Sequence, residues 1–143
     1  MPETRFFSQD ASDYALAAEV IKDSGLDTAL DAARRELLEA ERLRAASPDS
    51  AFGLAKRAMF RCTYAWMLIQ KPGSPVAPEQ REQARQLLGS VRTFFAWDKS
   101  SLDRMAAKAG VLLQDVFTAR EARDIVSQGI DPKEAAAAKA MEK

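Results

Sequence analysis

Between Ser50 and Lys71 the apolar positions stop forming a stripe and close almost completely around a helix. Phe52, Leu54, Ala55, Ala58, Met59, Phe60, Cys62, Tyr64, Ala65, Trp66, Met67, Leu68 and Ile69 leave almost no polar face beyond Phe60, and no Pro interrupts the run. A helix that is apolar nearly all round belongs inside a bundle. At about 1.5 Å per residue this one spans roughly 30 Å, the diameter of a small domain. Flanking stretches carry the narrower stripe of surface helices. Leu26, Leu30, Ala33, Leu37 and Ala40 recur at helical spacing, with Asp31, Arg34, Arg35, Glu36, Glu39, Glu41 and Arg42 outward and Asp31–Arg35 as an i,i+4 pair. Leu87, Leu88, Val91, Phe94 and Phe95 form another stripe, and Leu102, Met105, Ala106, Ala109, Leu112 and Leu113 a third.

Punctuation between these stretches sets the expected boundaries. A short helix from about Asp10 to Asp23 ends at Ser24-Gly25, with Gly just past the last turn. Ser47-Pro48 reads as a cap and first helical residue for the central helix. Residues 71–78, KPGSPVAP, are the clearest loop. Gly89-Ser90 is expected to kink the following helix, which ends near Trp97; Asp98 or Ser100 caps the next. Thr118-Ala119-Arg120-Glu121 has the form of a capping box and predicts a new helix there. Asp131-Pro132 opens an alanine-rich terminal helix with little to bury. No run alternates with period two. The expected fold is all-α: an antiparallel bundle of about five to seven helices around residues 50–71. The chain divides into an arm over 1–9, one domain over 10–129 and a helical tail over 130–143.

The composition of the 143 residues, 47% hydrophobic and 29% charged, is that of an ordinary globular domain. The chain contains no His, which excludes Ser–His and Cys–His nucleophile pairs and Glu-x-x-His di-iron sites. A single cysteine, Cys62, excludes an internal disulfide and reads as a small buried hydrophobe. Glu36 and Glu39 stand at metal-ligand spacing, but with no third ligand they read as a solvated face. No catalytic residues, metal or cofactor are therefore expected. The N-terminal segment lacks the basic-then-apolar pattern of a signal peptide, and no apolar run reaches the ~20 residues of a membrane span. A cytoplasmic protein without membrane association is expected.

Net charge is zero but unevenly spread. Residues 1–49 hold 6 Lys/Arg against 11 Asp/Glu, and residues 50–108 hold 10 against 4. Acidic outer helices lying on basic inner ones account for this directly. A basic surface for RNA or DNA through Lys56, Arg57, Arg61, Arg81, Arg85 and Arg92 is the alternative, weighed against a pI near 6.3.

Phe94-Phe95-Ala96, the segment Thr118-Ala119-Arg120-Glu121-Ala122-Arg123-Asp124, and the Arg- and aromatic-bearing helix from Ala55 to Leu68 together resemble the HEPN superfamily, and more narrowly its small actinobacterial members. The resemblance spans about Leu26 to Gln128. It implies a helical bundle, frequent dimerisation through helices and a nucleic-acid-linked context. HEPN ribonucleases place a His four to six residues after an Arg. Here Arg61 leads to Trp66 and Arg92 to Trp97, so the resemblance does not extend to RNA cleavage. The function expected from the whole sequence is that of a non-catalytic interaction protein that dimerises or binds a protein partner. Phe6, Phe7, Trp97 and Phe117 are the candidate anchors, since aromatic residues dominate interface hot spots.

Overall fold

In a computed structural model the described residues are 12–22, 25–71, 73 and 75–127, with residues 120–127 described by backbone alone. They form five helices and no strand: α1 Ser12–Lys22, α2 Leu26–Leu43, α3 Pro48–Gln70, α4 Pro78–Phe95 and α5 Lys99–Ser127. The protein is an all-α helical bundle. The expected arm over 1–9 and tail over 130–143 lie outside the described residues.

The central position of α3 follows from its composition. Eleven of its residues are buried, from Ala51 through the unbroken run Ala58–Ala65 to Ile69. It packs against each of the other four helices, while α2 also lies on α4 and α1 on α5. Each neighbour turns one stripe inward: Ala29, Leu30, Ala33, Leu37 and Ala40 from α2, Ala84, Leu87, Val91 and Phe94 from α4, and Met105, Ala109 and Leu113 from α5. Gly110 of α5 faces Thr63, where a methyl group would stand 3.8 Å from Thr63 Cγ2.

Helix ends mostly obey the local chemistry, with three departures from expectation. Ser47 does not cap α3 through its side chain; its hydroxyl donates to Ser50 Oγ at 2.9 Å, and Pro48 at the first helical position starts the helix. On α2 the ion pair formed is Asp31–Arg34, at 2.8 Å and i,i+3, in place of Asp31–Arg35. Helix α4 is continuous through Gly89-Ser90 and ends at Phe95. It closes in a Schellman motif: Trp97 N–H donates to Arg92 O at 3.0 Å and Ala96 N–H to Thr93 O at 3.1 Å. The left-handed residue of that motif is Ala96, with φ 54°, where Gly is usual. Finally, no helix begins at Thr118. Helix α5 is continuous to Ser127, and the Thr118 hydroxyl donates to Gln114 O at 2.9 Å. No Gly or Pro lies between Leu113 and Thr118, so nothing stops the helix before the capping-box pattern. Asp98 does cap α5, its Oδ1 accepting from Ser101 N–H at 2.6 Å.

Candidate interaction site

Three of the six basic candidates are consumed inside the bundle. Lys56 Nζ donates to Asp13 Oδ1 of α1 at 2.6 Å. Arg57 reaches two helices at once, with Nη1 donating to Glu19 Oε2 of α1 at 2.9 Å and Nε to Glu36 Oε2 of α2 at 3.0 Å. Arg61 Nε donates to the other oxygen of Glu36. The side chains of Arg61 and Glu36 are only 6% and 14% exposed. Glu36 is thus no part of a solvated face: it is the shared counter-charge of two α3 guanidiniums, and Glu39 pairs separately with Arg42. The Arg57 hydrogen bond is the main cause holding the Glu19 carboxyl below its ordinary value. These contacts are the internal complementarity that the uneven charge distribution suggests.

The other three basic candidates sit on α4 and are exposed. Arg85 pairs with Glu82 one turn away, and Arg92 Nε donates to Trp97 O at 3.1 Å, bracing the Schellman turn. The six residues therefore do not converge on one surface. Arg57 and Arg61 line a groove of about 780 Å³ together with Glu36, Glu39 and Arg35, in which acids and bases alternate.

The aromatic candidates also separate. Phe6 and Phe7 lie outside the described residues. Trp97 is half-buried and stacks on Phe95, with centroids 4.5 Å apart and planes at 15°; Phe95 in turn meets Phe52 and Phe94 edge-on. Arg44 lies over the Phe94 ring at 4.5 Å and donates to the Phe94 carbonyl. Trp97 belongs to this structural cluster and also borders a polar groove of about 950 Å³ with Glu41, Gln86 and Arg92.

Phe117 is different. It is 41% exposed on α5, at the edge of a groove of about 430 Å³ between the last turns of α3 and the middle of α5. Tyr64, Met67, Leu68 and Leu113 supply the apolar wall, and Gln70, Lys71 and Gln114 the polar rim. Leu113 is fully buried and Tyr64 is 6% exposed, so the floor belongs to the core, whereas Met67 and Leu68 are only half covered. A buried apolar floor, a polar rim and an exposed aromatic ring are the ingredients of an interface core. The sequence offered Phe117 alone. Its companions read as ordinary core because α3 is apolar on every side; the i,i+3 and i,i+4 spacing of Tyr64, Met67, Leu68 and Lys71 is the only signal that they share a face.

Cys62 is fully buried, and burial pushes its thiol up to about 12, followed by the nearby Glu36 charge. Among the described residues no three acidic or thiol side chains stand close enough to hold a metal ion, and no helix is long and apolar enough to cross a membrane. No protein-family model, no curated protein and no solved structure matches the chain.

Proposed function

We propose that this protein is a non-catalytic interaction protein that associates through the groove between α3 and α5, with a second copy of the chain as the occupant. The observation that carries the reading is the exposed Phe117 ring beside an apolar depression on the same face. A knob adjacent to a hole is self-complementary about a twofold axis: each copy inserts its Phe117 beside the other's Met67 and Leu68. HEPN-like membership enters as part of this proposal, supported by the Phe94-Phe95-Ala96 end of α4 and by the apolar α3. A cytoplasmic setting is likewise proposed. Nucleic-acid binding ranks below it, since Lys56, Arg57 and Arg61 already face carboxylates.

Sedimentation equilibrium on the full chain and on Phe117→Asp tests the reading. Full burial of a Phe side chain contributes about 1.5–3 kcal/mol. Completing the burial of two half-exposed rings is worth about 2 kcal/mol, which is roughly 30-fold in the dissociation constant. Phe117→Asp should therefore be monomeric at concentrations where the parent is dimeric. A parent that stays monomeric across the concentration range contradicts the proposal.

A further inference from the structure

Helix α1 is attached to the bundle in an unusual way for so short an element. Its 11 residues turn one stripe inward, and the residues it buries are Asp13, Ala17, Val20 and Ile21. The first of these is a carboxylate only 2% exposed. Its Oδ1 accepts from Lys56, while Oδ2 is buried with no hydrogen-bond partner. One turn and a half later Glu19 reaches Arg57. The helix therefore docks by an apolar stripe flanked by two acids that meet two bases of α3, and it lies across α3 and α5, the helices remote from it in sequence. Its junction to α2 requires Gly25 at φ 131° and ψ 140°, a conformation that side chains beyond hydrogen rarely adopt.

These features work against tight docking. An isolated helix of this length is marginal in water. Burying an acid–base pair costs desolvation that its attraction barely offsets, and a carboxylate oxygen without a donor adds to that cost. The Arg57–Glu19 pair is partly exposed, at 32% and 49%, and is open to screening by salt. Undocking would return Asp13 and Glu19 to water and uncover Lys56 and Arg57 beside an apolar seam. What fits that uncovered surface is the chemistry that already occupies it.

We infer that α1 is a displaceable internal ligand, and that the α3–α5 face beneath it binds an acidic amphipathic helix of a partner protein. In the closed chain α1 occupies this face, with Asp13 on Lys56 and Glu19 on the Arg57 that Glu36 also holds. Its tether gives α1 an effective concentration of about 1 mM. An outside helix therefore gains access only where it binds more tightly than α1 or where α1 is weakened. Neither Lys56, Arg57 nor any residue of α1 lines the Phe117 groove, and the test is independent of it.

The probe is a fluorescently labelled peptide with the sequence of residues 12–22, titrated into full-length protein. Binding to the parent chain should be weak. Val20→Asp, which spoils the apolar stripe of the tethered α1, should bind the same peptide at least about tenfold more tightly. Glu19→Lys leaves the stripe intact and should move affinity in the same direction by about two- to fivefold, the scale of a partly exposed ion pair; it carries the test should Val20→Asp not fold. Adding Arg57→Glu to either variant should remove the gain, and adding Arg81→Ala, at an exposed base of α4, should leave it unchanged. Equal, weak peptide binding by the parent and Glu19→Lys would overturn the inference. So would amide hydrogen exchange in α1 of the parent chain as slow as that in α3.

Discussion

Removing the carboxylate of Glu36 should be among the most damaging single changes in this protein, although the residue stands in a helix that reads as a charged surface. Glu36 holds Arg57 with one oxygen and Arg61 with the other. Arg61 is 5% exposed, so its guanidinium has little access to compensating water. Breaking a buried ion pair from one side costs about 3–5 kcal/mol, because a buried charge loses its counter-charge. Glu36 itself retains some exposure, at 14%, which places Glu36→Ala at the lower end, about 3 kcal/mol. Glu19 is the internal control. It also pairs with Arg57, but at 49% exposure its removal should cost at most about 1 kcal/mol. Urea titration followed by far-UV circular dichroism and by Trp66 and Trp97 fluorescence measures both. Glu36→Ala should lower the midpoint with little change in slope, and Glu36→Gln, which keeps an acceptor for one guanidinium, should fall between. Should Glu36→Ala and Glu19→Ala prove equally mild, the α2–α3 contact is apolar in its energetics and the ion cluster is incidental.

Further outcomes follow from the helix ends and the buried thiol. Ala96→Gly should stabilise by about 0.5–1 kcal/mol, since relief of a left-handed alanine exceeds the extra entropy glycine brings to the unfolded chain. Gly89→Ala should stabilise by a similar amount, because nothing stands within 4 Å of the added methyl and the site is helical; thermal melts read both. Cys62 has a folded-state pKa above its unfolded one, so its contribution to stability is complete below the ordinary thiol range, near pH 8.5, and is lost as pH rises towards 12. A thiol reagent at pH 8 should accordingly label it only after denaturation. Glu19 shifts the opposite way: its contribution is present above the unfolded value, about 4.3, and is lost as pH falls below it, so Glu19→Gln should flatten the acid limb of a stability-versus-pH curve.

The architecture was legible because helical period, Pro and Gly carry it. The all-round apolar α3, the one-sided stripes of α2 and α4 and the loop after Lys71 all stand where the pattern puts them. What pattern alone misjudged were choices between competing local bonds. Thr118 and Glu121 satisfy the spacing of a capping box, but a cap forms only where a helix has first been stopped, and the stretch from Leu113 to Thr118 stops nothing. Ser47 had another hydroxyl within reach. Glu36 was misplaced for a different reason: a charged residue flanked by charged residues looks solvated until α3 brings two guanidiniums onto it. The groove at Phe117 was half legible. An aromatic in a polar neighbourhood can be seen in one dimension, but its apolar floor comes from two helices about 45 positions apart in the chain.

Hydrogen exchange on the full chain at dilute and at high concentration tests the proposed association most directly. The account predicts that raising the concentration slows exchange over the end of α3, residues 64–71, and over residues 113–117 of α5, with the remaining helices unchanged. Concentration-dependent protection centred on the outer face of α2 or α4, with the Phe117 region unaffected, would contradict it.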